Sequence, residues 1–280
     1  MTGRWAAIEA GGTKFVCAVG SGPDDLTGPV RFDTLGPEET VRAVAEWLRS
    51  NGPFDGAGVG TFGPVDVRTG SLTTTPKLTW RGFPLRQALE RALGVPVAMD
   101  TDVNAAALGE HRWGAARGIE NFLYMTVGTG IGGGAMVDGR LLHGRLHPEM
   151  GHIVTPLHPM DRDFPGVCPS HGTCLEGVAS GPALEARWGE PARGLSADHP
   201  AWESEAFYLG FALAGLTCAL SPELVILGGG VMEQAHLFPA IREKVETVLN
   251  GYLPAPRIVA PEQRYCGVLG ALALAQAAAR

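Results

Sequence analysis

The sequence predicts an α/β protein of two lobes, each opened by the same strand, glycine turn and strand. Three observations carry this. The stretch A-A-I-E-A-G-G-T-K-F-V-C-A-V near the start is echoed from Asn121 by N-F-L-Y-M-T-V-G-T-G-I-G-G-G. Short apolar runs alternate along the chain with longer segments whose apolar residues recur at helical spacing. The 280 residues are also enough for two cores of ordinary size.

Taken in order, Trp5 to Glu9 reads as a strand, and Phe15 to Val19 as its partner across a glycine turn. A helix is expected from Glu38 to Arg49, with Pro37 before it and Val41, Val44, Ala45 and Leu48 on one stripe. Ala57 to Gly60 is a short buried strand running into T-F-G-P-V-D, and Leu85 to Leu93 a helix stopped by Gly94. Val95 to Met99 is a strand that ends at Asp100, Thr101 and Asp102, and the helix after it runs from Val103 to Trp113 and stops at Gly114.

Past the second strand–turn–strand unit, the region from Glu203 to Leu220 is apolar on most faces and reads as a buried helix. Leu224 to Leu227 is a strand leading into Gly228-Gly229-Gly230, and a helix spans Phe238 to Leu249. The alanine-rich tail from Gly267 to Ala278 is an apolar helix expected to pack back onto the first lobe. The domains therefore read as residues 1–116, completed by about 266–280, and residues 117–265.

Composition narrows the function. There are 29 acidic residues against 22 Lys plus Arg, a net charge of −7, and no basic patch interleaved with aromatics, so a nucleic-acid partner is not expected. No leader-like segment opens the chain and no apolar run reaches the length of a membrane span, which gives the expectation of a cytoplasmic protein without a membrane partner. Five cysteines suit no disulfide framework. Cys17, Cys218 and Cys266 lie in apolar surroundings and are expected to be reduced core thiols.

The other two cysteines belong to C-P-S-H-G-T-C. Cys168, His171 and Cys174 follow one another at intervals of three in a loop with Pro169 and Gly172, so that one turn of chain aims three soft ligands at a point. Zinc needs a fourth, and His152 in H-P-E-M-G-H is the candidate. Three glycine turns directly after strands call for separate chemistry: Gly11-Gly12-Thr13, Gly128-Thr129-Gly130 and Gly228-Gly229-Gly230. Bare backbone N–H groups in such turns bind anionic oxygens. None has P-loop spacing, but three of them together point to nucleotide phosphates.

These segments resemble the ROK sugar kinases, members of the actin-like ATPase superfamily with its ribonuclease H-like fold. E-A-G-G-T-K is similar to the family's first phosphate loop, T-V-G-T-G-I-G-G-G to the second and L-G-G-G-V to the adenosine loop. D-T-D-V-N-A-A-A-L-G-E resembles the catalytic segment, and H-P-E-M-G-H with C-L-E-G the sugar and zinc segments. The chain departs from the common pattern at Glu9, where the family usually has Asp, and in its C-x-x-H-x-x-C cluster; with T-P-K at Thr75 to Lys77 these resemble the fructokinase branch.

The resemblance implies an ATP-dependent sugar kinase, commonly a homodimer, with Asp102 as general base. The chemistry agrees, since a sugar hydroxyl is a weak nucleophile that a carboxylate at a strand-to-helix junction can deprotonate as it attacks phosphorus. Asp102 ranks above Asp100 through its D-x-N spacing from Asn104, although Asp100, Thr101 and Asp102 all suit a helix cap. Asn104, Glu149, Glu176 and His152 are then expected to meet the sugar, His152 binding zinc through its other ring nitrogen. Gly63-Pro64-Val65, with Thr75 to Lys77, are the candidates for discriminating among sugars. Glu9 is expected to hold the Mg²⁺ that accompanies ATP, through water. Four protein ligands would make the zinc structural. D-fructose is the expected acceptor. Glucokinase, mannokinase and N-acetylmannosamine kinase are the competing activities, ahead of a sugar-sensing protein without catalysis. A repressor of the same family would need a DNA-binding domain ahead of Glu9, which only eight residues precede.

Overall fold

The computed structural model describes residues 3–279, and the chain divides into two compact units. The first contains the chain up to Gly118, the segment Leu141–Pro148 and the tail from Glu262; the second contains Ile119–Arg140 and Glu149–Pro261. Leu141–Pro148 thus groups with the first unit although the chain on either side of it does not. Boundaries at 116 and 265 do not anticipate that excursion.

In the first unit β1 (Trp5–Ala10), β2 (Lys14–Gly20) and β3 (Leu26–Asp33) form an antiparallel meander. There follow α1 (Pro37–Ser50), β4 (Gly56–Thr61), a small hairpin of β5 (Val65–Asp66) and β6 (Ser71–Leu72), α2 (Leu85–Leu93), β7 (Val97–Thr101) and α3 (Asp102–Trp113). The sheet order is β3-β2-β1-β4-β7, with β4 parallel to β1 and β7 parallel to β4. Strand alternation splits β1 between two cores. Ala6, Ile8 and Ala10 join Phe15, Leu48, Trp80 and Leu89 in one, whereas Ala7 joins Val16 and Ala18 in the other. Trp80 lies 5.5 Å from both Phe15 and Phe83 and donates its indole N–H to the Leu35 carbonyl at 2.9 Å. Truncating so buried an aromatic costs about 3–5 kcal/mol.

The strand β3 is not anticipated by the apolar pattern, because its Gly28-Pro29 dipeptide reads as a turn. It forms because it lies at the sheet edge and pairs with β2 alone, where a missing proline N–H leaves no second ladder broken. The pairing shifts register between Cys17 and Val19, opposite the Gly-Pro step.

The second unit repeats the plan with β8 (Phe122–Val127), β9 (Ile131–Val137) and β10 (Arg140–Leu141), then α4 (Leu175–Ala179), α5 (Gly181–Trp188), α6 (Ala201–Leu220), β11 (Leu224–Gly228), α7 (Leu237–Leu249) and β12 (Arg257–Val259). Its order, β10-β9-β8-β11-β12, has β9 antiparallel to β8, and β11 and β12 following in parallel. The duplication heard in the sequence is therefore a duplication of the whole five-stranded sheet. Helix α6 is buried along most of its length, as expected of a helix without a polar face, but its last turns leave Gly215, Cys218 and Ala219 exposed. Cys218 is thus not a core thiol; Cys17 is buried and Cys266 only partly so.

The tail helix α8 (Cys266–Ala278) closes the other face of the first sheet through Val268, Ala271 and Leu272. It lies against strand and helix backbone: a Cβ on Gly58 would fall on the Ala271 carbonyl, and one on Gly270 on the Ala105 carbonyl. That approach explains why β4 reads G-A-G-V-G-T. Glu110, fully buried on α3, fastens the chain just ahead of α8 by accepting the N–H groups of Glu262 at 3.1 Å and Gln263 at 2.9 Å, with that of Ala115 at 2.8 Å.

Candidate active site

Helix α3 starts where β7 ends, so the polar triplet Asp100, Thr101 and Asp102 spans a strand-to-helix junction. Thr101 takes the capping post, its hydroxyl accepting the Asn104 N–H at 3.1 Å. Asp102 becomes the first helical residue. It is half-buried and accepts the Val103 N–H at 2.9 Å, a position where the helix dipole favours a carboxylate anion.

Asp100 is engaged quite differently. At 5% exposure it accepts the Thr101 N–H at 2.8 Å, the Asn104 amide at 2.9 Å and the His143 ring N–H at 2.9 Å. Three N–H groups thus fill most of the acceptor capacity of Asp100, and burial keeps it from solvent. Burial and bonding, rather than D-x-N spacing, are what separate Asp100 from Asp102. Asn104 is 1% exposed and its amide donates to Asp100, so in the structure it supports that carboxylate.

His143 comes from the Leu141–Pro148 segment, as does His147, whose Nε2 accepts the Val65 N–H at 3.1 Å. These two histidines anchor the segment in the first unit. Val65, expected to help sense the sugar, has its side chain in the core and its N–H spent on His147. Gly63 and Pro64 are half-buried just ahead of it, and the Pro64 carbonyl accepts the Thr73 N–H at 2.8 Å.

The first glycine turn joins β1 to β2, with Gly12 and Thr13 exposed. Lys77 reaches it from a distant loop, donating to the Gly12 carbonyl at 2.9 Å and the Thr34 carbonyl at 2.7 Å. T-P-K thus serves this turn. Glu9 is half-buried at the end of β1, beside Gly267 in the first turn of α8. Burial raises its carboxyl above the ordinary range, opposed by the positive charges of Lys14 and Arg31. A divalent cation would offset the same burial.

In the second unit the other two turns meet. Gly229, at φ 94°, lies so close to the end of β8 that a Cβ would strike the Val127 backbone, and this places Gly230 beside Gly128. The Gly128 carbonyl accepts the Gly181 N–H at 2.8 Å, seating the start of α5 against the second turn. Glu176, in the first turn of α4, accepts the Ile131 N–H at 2.9 Å, just after Thr129-Gly130.

One residue-pair earlier in α4's approach, Cys174 is the helix N-cap, and it belongs to a cluster with His152, Cys168 and His171 whose ligand atoms all lie within 4.8 Å of one another. A tight bridge builds the loop: Cys168 N–H to Gly172 carbonyl at 3.3 Å and the reverse bond at 2.9 Å. His152 Nδ1 is 3.5 Å from the Cys174 sulfur and 3.7 Å from that of Cys168, and His171 Nδ1 is 3.7 Å from Cys168. Tetrahedral zinc, with its ordinary Zn–S and Zn–N bonds, separates such atoms by about 3.6 Å, so the donor set and spacing fit that ion. Burial pushes the Cys174 thiol up to about 11. Of the remaining acids, Glu149 is exposed and its carbonyl closes the short turn that carries His152.

Sequence reasoning missed His143, Thr34 and the supporting role of Asp100. Their partners lie 43 residues away for His143 and 23 for Thr34, too far for any spacing rule to signal.

Known proteins resemble this chain over almost its whole length. The profile of the ROK family matches residues 5–278. A fructokinase of Pediococcus pentosaceus is 41% identical over 282 residues, spanning 97% of each chain. The solved ROK hexokinase from Thermus thermophilus superposes with a TM-score of 0.81 at 33% identity, covering 99% of each chain. The ROK family glucokinase from Streptomyces griseus, solved with glucose and AMPPNP, gives a TM-score of 0.81 at 27% identity over 98% of this chain and 100% of its own. The fold is accordingly that of the actin-like ATPases. A family match over residues 5–278 makes the chain a member of the ROK family.

Proposed function

We propose that the chain transfers the terminal phosphoryl group of ATP to the 6-hydroxyl of D-fructose. The observation that carries the choice of sugar is the 41% identity to a fructokinase over almost the whole length, against 31% to the glucokinase of Thermotoga maritima and 34% to that of Halalkalibacterium halodurans. The choice of reaction is supported by the site. Asp102 is the more exposed carboxylate of the pair at the β7–α3 junction, and it takes the hydroxyl proton as the sugar oxygen bonds to phosphorus and the bond to the ADP oxygen breaks. Glu149, His152 and Glu176 accept or donate to the other hydroxyls. Gly63 and Pro64 remain candidates for sensing which sugar is bound.

The N–H groups of Gly11-Gly12-Thr13 and Gly128-Thr129-Gly130 take the phosphates, and Gly228-Gly229-Gly230 lets the nucleoside come close to backbone. Glu9 would hold Mg²⁺ through water, and the ion would neutralise phosphate charge. His152, Cys168, His171 and Cys174 would hold a structural zinc, their four positions leaving none for a water. Its effect would be on shape: it ties His152 to the first residue of α4's cap and so holds Glu176 against Ile131. Phosphorus NMR of the product from fructose, ATP and Mg²⁺ tests the reading. Fructose 6-phosphate with release of ADP is expected; no phosphorylated hexose from any of the common hexoses would overturn it.

A further inference from the structure

We propose that Lys77 and Thr34 are positioning residues that set the first glycine turn to receive the phosphates of ATP. This rests on the kinase reading above and goes beyond it by assigning the orientation of the turn to two side chains outside it.

Gly11 accepts the Thr34 hydroxyl at 2.7 Å, Gly12 accepts the Lys77 ammonium at 2.9 Å, Thr13 accepts the Thr34 N–H at 3.0 Å and Lys14 accepts the Gly11 N–H at 2.9 Å. Each carbonyl from Gly11 to Lys14 is therefore held by the chain itself. A trans peptide is planar, and its C=O and N–H point in opposite directions. Holding the Gly11 carbonyl on Thr34 turns the Gly12 N–H the other way, and holding the Gly12 carbonyl on Lys77 does the same for the Thr13 N–H. Among the described residues neither of these two N–H groups donates to a protein acceptor. Gly12 faces open space, since a Cβ built there would meet nothing within 4 Å. The turn thus presents two aligned donors to the exterior, the polarity an anionic oxygen needs.

Lys77 does this better than a neutral donor would. Its ammonium bridges the Gly12 and Thr34 carbonyls, at 2.9 and 2.7 Å, so it ties the turn to the end of β3 and leaves a fixed positive charge beside it. Thr34 contributes three groups to the same knot: hydroxyl, N–H and carbonyl. Without Lys77 the peptide between Gly12 and Thr13 is free to rotate, and half of the donor pair is lost.

The test compares wild type with Lys77→Met, Lys77→Arg and Thr34→Val, measuring KM for ATP, KM for fructose, calorimetric Kd for MgADP and Tm. Lys77→Met is expected to raise KM for ATP and Kd for MgADP tenfold or more, with KM for fructose within twofold and Tm unchanged. Lys77→Arg is expected to restore most of the nucleotide affinity, and Thr34→Val to weaken it in the same direction. Should Lys77→Met fail to fold, the Thr34→Val and Lys77→Arg measurements decide alone. Nucleotide affinity within twofold of wild type in the folded variants, or fructose KM rising in parallel with that for ATP, would overturn the proposal. A wild-type protein that transfers no phosphate from ATP would instead remove the kinase reading and this inference with it.

Discussion

Asp100 and Asp102 stand two residues apart, and their substitution by asparagine is expected to fail in opposite ways. Asp102→Asn keeps the side-chain shape and the acceptor for the Val103 N–H but removes the base. Loss of general-base catalysis lowers kcat roughly a hundredfold or more, about 2.7 kcal/mol in the transition state. Losing the charge at the helix start costs about 0.3–1 kcal/mol of stability. Asp100→Asn strikes a buried carboxylate that receives N–H bonds from Thr101, Asn104 and His143 at 2.8, 2.9 and 2.9 Å. Each falls from charge-assisted to neutral at about 1 kcal/mol apiece, so the loss is about 2–3 kcal/mol. At about 3 °C per kcal/mol for a body of this size, Tm drops by about 6–9 °C. Initial rates at saturating substrates and thermal unfolding of both variants separate the roles. An Asp102→Asn protein that keeps most of its turnover, or an Asp100→Asn protein as stable as wild type, would refute the reasoning.

Two further outcomes follow from the second unit. Cys174→Ser should lower bound zinc below one ion per chain by elemental analysis and weaken sugar affinity, because Cys174 caps the helix that carries Glu176; unchanged zinc content would remove Cys174 from the ligand set. Glu205→Gln should stabilise the protein increasingly as pH rises. Burial pushes the Glu205 carboxyl well above its ordinary 4.5 despite the pull of Arg187, and among the described residues neither oxygen has a hydrogen-bond partner. In the window above 4.5 the native state therefore holds more protons than the unfolded state, and the stability present below it is lost as pH rises through the native pKa. Urea unfolding of both proteins at about pH 5 and pH 8 checks this; a wild-type-to-variant difference independent of pH would count against it.

What the sequence made legible was what is local. Helix α2 has the bounds its stripe and Gly94 imply, and the paired strand–turn–strand units identify both sheets because each hairpin lies within a few residues of chain. The His/Cys cluster was readable for the same reason: three of its members sit in one turn, and only His152 comes from farther away. Edge strand β3 was hidden by Gly28-Pro29, a local signal overridden by pairing with β2. The exposure of Cys218 was hidden because apolar content on every face of α6 leaves no polar stripe to mark which side meets solvent. In the site, residue identity was readable but allegiance was not. Asp100, Thr101, Asp102 and Asn104 lie within five residues, yet the fold alone shows that Thr101 caps and that Asp100 is buried against His143 from a distant segment. Val65 shows the same limit, since strand alternation turns its side chain into the core beside an otherwise half-exposed loop.

The measurement that bears most directly on the central claim is kcat/KM for fructose, mannose, glucose and N-acetylmannosamine with ATP and Mg²⁺ under one condition. Fructose is predicted to lead. A tenfold or larger preference for an aldose, about 1.4 kcal/mol in the transition state, would contradict fructose as the substrate while leaving Asp102 and the glycine turns in their roles.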